Sequence, residues 1–223
     1  MKTSTPNNTG NHDLTQVKQF IEYLLENADQ HWLGASHDFE HFMLMLNRLK
    51  TLSRPQINIQ SEGRPVHRDW SNVLRLLKNG DSTRVAECLD NLADQLRWMQ
   101  CPNYTPENTS RLFIDNYAYC ELIGRDGLCW GQTMSMGLML LGPDTYYPPH
   151  SHPSSECLYT ICGRGTWHLA GGPTISLPPG AIISIPNGEN HAFWSMDTPL
   201  LAVYICEGEI DAYPVLANRN VPR

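Results

Sequence analysis

The sequence predicts a mainly β protein in which a helical segment precedes a barrel or sandwich of antiparallel strands, and three observations carry that expectation. Apolar residues up to about residue 100 recur with the 3.6-residue period of helices. From about residue 110 the texture changes to short apolar runs, each closed by Gly or Pro. Those runs follow one another at close, fairly even spacing, as the strands of an all-β domain do.

In chain order, residues 1–12 (MKTSTPNNTGNH) are polar and read as a disordered tail. DLTQVKQFIEYLLENA follows, with Leu14, Val17, Phe20, Ile21, Leu24 and Leu25 on one face and Asp13 as its N-cap. SHDFEHFMLMLNRLKTL from Ser36 is a second helix, and WSNVLRLLKNG a third, stopped by Gly80. TRVAECLDNLADQLRWM repeats Val85, Cys88, Leu89, Leu92, Leu96 and Met99 as a fourth. Helices therefore fill residues 13–105. Residues 106–223 form the β domain, whose strands are expected in FIDNYAYCELIG, MSMGLMLLGP, CLYTICGRG, GTWHLAGG, AIISIP and PLLAVYICEG.

Sixteen basic against 23 acidic side chains leave a formal charge of -7 and no basic stripe, which argues against a nucleic-acid partner. No run approaches the roughly 18 apolar residues of a membrane span, and the N-terminus has no apolar stretch behind a charged start. A cytoplasmic protein is expected. Seven scattered cysteines without a CxxC pair suggest neither a disulfide framework nor a zinc finger, and are expected reduced.

Nine histidines remain to be placed. His12, His31 and His67 have no ligand set around them and read as solvated or packing residues. HDFEH puts His37 and His41 on one helical face beside Glu40, formally an H-x-x-E-H pattern, but no later helix offers a third ligand, so a surface or packing pair is expected. His168 is expected to pack or to support a site from behind.

His150 and His152 differ. Separated by one residue, they project from one face of a strand, and Glu156 has the same parity. Two imidazoles and a carboxylate suit a borderline divalent ion such as Zn, Fe, Mn or Ni. The order G-x5-P-x-G-x2-H follows in GAIISIPNGENHAFW, through Gly180, Pro186, Gly188 and His191.

Together these stretches resemble the two motifs of the cupins. His150, His152, Glu156 and Gly163 match the first motif, whose opening glycine falls on Asp144, and the second ends on Ser195 in place of asparagine. The resemblance implies a double-stranded β-helix, or jelly-roll barrel, with a metal held by His150, His152, Glu156 and His191. A homodimer is the family's usual assembly.

The helices followed by FIDNYAYCELIG, GLMLLGPDTYYPPHSHP and GRGTWHL further resemble the cupin-type dimethylsulfoniopropionate (DMSP) lyases. That likeness implies a small-molecule substrate and β-elimination to dimethyl sulfide and acrylate, with a tyrosine as base. The lyases place a tyrosine two residues after the glutamate, where this chain has Leu158; Tyr159 should face the opposite side. Tyr147 matches the family's other tyrosine and is the base candidate, with Tyr146 as substitute. Trp130, Trp167, Phe193 and Trp194 are aromatic candidates for the sulfonium, of which Trp167 and Trp194, with Tyr146, are expected to bind substrate. A metal-dependent oxygenase or isomerase of a small carboxylate, and a non-catalytic binding barrel, are the alternatives.

Overall fold

A computed structural model describes residues 9–31, 33, 35–52, 54–55, 67–79, 83–169 and 172–217. Helices α1 (Thr9–His31), α2 (Ser36–Leu52), α3 (His67–Asn79) and α4 (Thr83–Leu92) occupy the first hundred residues, with a two-residue strand β1 (Arg54–Pro55) between α2 and α3. α1 begins at Thr9, so Asp13, expected as its cap, stands one turn inside it. Gly80 lies outside the described residues.

The fourth helix is shorter than its periodicity suggests. After Leu92 the chain tightens into a 3-10 turn and Leu96 turns extended (φ -67, ψ 116). Leu96 stays buried, while Met99 pairs with Tyr119 through both backbone bonds, so a sheet contact takes over from the helix. FIDN also differs from its expectation: α5 (Arg111–Asn116) covers it, started by the Ser110 side chain accepting from the Phe113 amide at 3.1 Å.

The strands are β2 (Tyr117–Gly124), β3 (Cys129–Trp130), β4 (Met134–Leu141), β5 (Tyr146–Ser151), β6 (Ser155–Cys162), β7 (Gly165–Leu169), β8 (Thr174–Leu177), β9 (Ile182–Ile185), β10 (His191–Ser195), β11 (Leu200–Glu207) and β12 (Val215–Leu216). They form two sheets, ordered β1-β3-β2-β4-β11-β6-β9 and β12-β5-β10-β7-β8. Nearly all pairs are antiparallel, β2 with β3 being the parallel exception. The architecture is the cupin jelly roll that the motifs imply.

Strand alternation gives the larger sheet two buried faces. One, with Cys120, Leu122, Leu138, Leu140, Val203 and Ile205, forms a continuous core with Val17, Phe20, Ile21 and Leu24 of α1 and Phe42, Met45 and Leu46 of α2. The other looks into the barrel and joins Tyr147, Trp167 and Phe193 of the smaller sheet. The helices thus cover the barrel, and the site lies on the far side of the sheet from them. Leu158 is fully buried in the barrel core, whereas Tyr159 stacks on Phe42 of α2 with ring centroids 5.3 Å apart, so the parity read from the sequence holds.

The motif glycines mark turns. Gly163 takes φ +81, and a Cβ there would stand 2.0 Å from the Pro199 carbonyl oxygen, so no other residue fits. Asp144, in the place of the first motif's opening glycine, also adopts a left-handed backbone, φ +52.

Candidate active site

β5, the turn after it, and β10 bring the histidines together. His191 pairs with His150 across β5 and β10, and their ring centroids are 4.1 Å apart. The ligand nitrogens of His150, His152 and His191 lie within 4.8 Å of one another, and all three side chains are buried. Glu156, arriving on β6 from the other sheet, places Oε2 3.2 Å from His152 Nε2 and 3.6 Å from His191 Nε2. Residues distant in sequence therefore converge from both sheets.

Each ring is fixed from behind. The Nδ1 atoms of His150, His152 and His191 donate to the carbonyls of Pro148, Ser154 and Glu189, each at 2.9 Å. A carbonyl can only accept, so Nδ1 carries the proton; at His150 and His191 Nε2 then presents its lone pair, as metal-binding imidazoles do, while His152 Nε2 faces Glu156 Oε2 and donates to it unless an ion stands between them. His191 Nε2 is buried and without a hydrogen-bond partner, an arrangement a bound ion would satisfy. The donor set fits a divalent transition ion.

Protonation follows the same logic. Burial, with His191 adding to it, holds the His150 imidazole well below its ordinary pKa, and burial likewise depresses His191. At His152 burial acts the same way, but the hydrogen bond and charge of Glu156 outweigh it and raise the value. Glu156 is the reciprocal case: burial pushes it up, and His152 more than reverses that.

A cavity of about 210 Å³ opens beside this group, lined by Tyr147, His150, His152, Glu156 and Phe193 and extending to residues 119–126 and 210–214. Tyr147 stacks on His150 at 4.1 Å, nearly parallel. Its hydroxyl stands 3.0 Å from that of Tyr104 and donates towards Tyr117 at 3.5 Å. Burial first, then the two neighbouring phenols, hold it well above an ordinary tyrosine pKa.

The other sequence candidates lie elsewhere. Tyr146 and Trp194 are exposed on the outer face, their rings 5.7 Å apart, because each is one residue out of phase with the inward-facing Tyr147 and Phe193. Trp167 is buried in the barrel core but does not line the cavity, and Trp130 is exposed. His168 faces outward against Thr174, 3.0 Å away. His37 pairs with Asp38, and His41 reaches Ser184 at 3.3 Å, so HDFEH gathers no ligand set. All seven cysteines are free thiols.

The cavity also holds residues that the motifs do not mark: Tyr119, Glu121, Tyr204, Cys206 and Tyr213. A signal for most of them exists in the sequence. YAYCE and YICE carry polar or aromatic side chains at every second position of otherwise apolar strands, the pattern of a strand facing a functional interior.

Comparison with known proteins fits this geometry. A profile of the DMSP lyases matches residues 40–202, nearly three quarters of the chain and all four candidate ligands. The chain belongs to the DMSP lyase family. It is 31% identical over 104 residues, 47% of its length, to DMSP lyase DddQ of Ruegeria pomeroyi, and 27% identical over 157 residues, 70% of its length, to a putative DMSP lyase, DddL, of Cereibacter sphaeroides. The matched parts span 52% and 65% of those relatives. Among solved structures, one described as DMSP lyases RdDddP and RnDddQII superposes with TM-score 0.70 at 20% identity, covering 94% of this chain and all of that one. DddQ of Ruegeria pomeroyi gives 0.66 at 19%, covering 84% and all of it. These two share the fold.

Proposed function

We propose that the protein is a metal-dependent carbon-sulfur lyase that cleaves DMSP, or a close analogue, to dimethyl sulfide and acrylate. The observation that carries this reading is the family match, which spans His150, His152, Glu156 and His191, the group that stands at one end of the cavity. The four residues would hold a divalent ion, Zn, Fe, Mn or Ni, which when bound supplies Lewis-acid stabilisation to a carboxylate as charge builds on it.

The reaction removes a proton from the carbon beside the carboxylate. That C–H pair becomes the new C=C bond, and the C–S pair leaves on sulfur as neutral dimethyl sulfide, so no general acid is needed. Tyr147 is our candidate for the proton acceptor. Its ring rests on His150, and to accept a proton it must first give up its own, which burial opposes and the positive charge of an ion held by the four residues would favour.

Leu158 favours a second reading, in which the same ligands serve an oxygenase or isomerase of a small carboxylate, or a barrel that only binds. The deciding experiment is headspace detection of dimethyl sulfide from metal-loaded protein given DMSP, beside His152→Ala. Release by the wild type and its loss in the variant support the lyase, after which Tyr147→Phe tests the base. No release from metal-loaded protein overturns it. We also infer action in the cytoplasm as a homodimer, the latter checked by light scattering.

A further inference from the structure

The cavity has a second end. Strand register lays its inner wall out in rows: Glu121 on β2 stands opposite Gly137 on β4, Gly137 opposite Tyr204 on β11, and Tyr204 opposite Leu158 on β6. In the next row Cys206 stands opposite Glu156. Gly137 leaves the middle of its row open, for a Cβ there would stand 2.4 Å from the Tyr204 hydroxyl oxygen. The Tyr204 ring lies across that gap and its hydroxyl donates to the Cys120 carbonyl on β2 at 3.4 Å. Tyr119 adds a second ring, 6.4 Å from the first.

Glu121 sits beside these rings. One carboxylate oxygen accepts from the Asp126 amide at 2.8 Å. The nearby arginines are engaged with other carboxylates, Arg97 with Asp126 at 3.7 Å and Arg125, which also lines the cavity, with Asp211 at 3.2 Å, while the Arg97 charge still lowers the Glu121 carboxyl in part. Burial pushes its carboxyl up to about 7, with Asp126 and Asp211 adding to the effect. A carboxylate whose burial outweighs the arginine charge near it is costly to keep ionised, and this one lines the same cavity as His150 and His152. With strands ~4.8 Å apart, three steps across the sheet separate the Glu121 and Leu158 backbones by about 14 Å. Glu156 and Glu121 reach into that space from its two sides.

We propose that Glu121, with the faces of Tyr119 and Tyr204, binds the cationic onium group of a zwitterionic substrate whose carboxylate lies at the histidines. This deepens the lyase reading and rests on it for the placement of the carboxylate. The wall supplies what a sulfonium lacks in water-free surroundings: a formal countercharge and two electron-rich rings. It also replaces the tryptophans that the sequence suggested for this task. The cavity then selects by charge separation, taking a cation and a carboxylate joined by a two-carbon chain over a neutral molecule of equal shape.

The test compares two unreactive probes by calorimetry on the metal-loaded full chain. One is 3-(trimethylammonio)propionate, which carries the charge but cannot release dimethyl sulfide. The other is 4-methylpentanoate, in which an uncharged CH replaces the sulfonium, so that this probe is neutral at that end and anionic overall. The wild type should prefer the cationic probe by about tenfold or more, and Glu121→Gln should reduce that preference to about twofold while holding 4-methylpentanoate as before. Glutamine keeps an acceptor for the Asp126 amide, so the turn is preserved, and an unchanged melting curve verifies it. Tyr204→Phe keeps the ring and should keep most of the preference; Tyr204→Leu should lose part of it. A wild type indifferent to charge, or a Glu121→Gln variant with full preference, overturns the proposal. Dimethyl sulfide release is scored on the same preparations. Charge preference dependent on Glu121 in a protein that releases none would sink the lyase and leave the onium site standing; release with a preference untouched by Glu121→Gln would do the reverse.

Discussion

On β11, Leu201, Val203 and Ile205 point at the helices, while Ala202, Tyr204 and Cys206 point into the barrel. The same alternation divides β6, where Cys157, Tyr159 and Ile161 meet the helices and Glu156 and Leu158 face inward. The helix-facing side is apolar and closely interlocked. On the barrel side the wall carries two carboxylates, a thiol and several phenols, with the imidazoles of His150 and His152 across the cavity. One face is built to hold the fold together, and the other keeps groups in surroundings they would not choose alone. Changes on the two faces should therefore be separable, affecting stability on one and chemistry on the other.

The strongest challenge to that separation is His191→Ala. Removing one ligand should cost at least about 10³-fold in kcat/KM, near 4 kcal/mol, and strip the metal. The metal-free variant should melt only slightly lower than metal-free wild type, because relief of the buried, unpartnered Nε2 offsets part of what the lost Nδ1 bond to Glu189 and the emptied ring site cost. Metal analysis beside calorimetry reads both; a large drop in metal-free stability would mean the barrel face also carries the fold.

Phe42→Ala is the mirror-image change. It empties a fully buried site against Tyr159 and should cost about 3–4 kcal/mol by denaturant titration. The protein that remains folded should keep kcat/KM within about twofold, since the sheet stands between Phe42 and the cavity. A matching loss of activity would show that the helices position the site as well as cover it.

Glu121→Gln is subtler, because it should raise stability while weakening selection. The carboxyl is raised from 4.5 to about 7 in the folded protein, chiefly by burial. A raised carboxyl contributes stability below its unfolded pKa and loses it as pH rises through the folded value. At pH 8 the variant should therefore be more stable than wild type by up to about 3 kcal/mol, and at pH 4 nearly equal. The charged groups that act on Glu121 are Asp126, Asp211 and Arg97, with Arg125 paired to Asp211. Function runs the other way: as pH falls through about 7 the protonated Glu121 should lose its hold on a cation and KM for DMSP should rise, a trend the glutamine variant should not show.

These contrasts also explain what was legible in the sequence. His150, His152 and Glu156 share a local stretch in which parity can be counted, and His191 sits in a second stretch with its own glycines, so local pattern and the cupin resemblance brought out all four residues that the fold gathers. Tyr159 was correctly turned away from the barrel on parity alone. Glu121 and Tyr204 were not singled out, because they face each other across Gly137 only once three strands far apart in the chain have paired in register. The outward direction of Trp194 and Tyr146 could not be read from the sequence, because Pro148 and Pro149 blocked a parity count through β5, and a register shift in β10 falls between His191 and Phe193. In α4, periodicity continued past Leu92 into residues that are buried for a different reason, the pairing of Met99 with Tyr119.

The smallest expected effect concerns the turn that leads into β5. Asp144 holds φ +52 at the position where the first motif has glycine, and its amide still donates to the Met196 carbonyl at 2.7 Å. A left-handed backbone costs an L-residue roughly 1–2 kcal/mol, less for aspartate than for most. Glycine would remove that strain but release more entropy on unfolding, an opposing effect of about 0.4–1 kcal/mol. Asp144→Gly should therefore change stability by no more than about 0.5 kcal/mol, whereas Asp144→Ala, which keeps the strain and lacks aspartate's local hydrogen bonding, should lose about 1 kcal/mol. Neither should alter metal content, for the turn sits at the start of β5 and the first ligand near its end. Thermal melts of the three proteins, with metal analysis, separate the effects. If Ala proved as stable as Asp, conformation at this turn would not be what the motif's glycine supplies, and space for a neighbouring chain would be the better account.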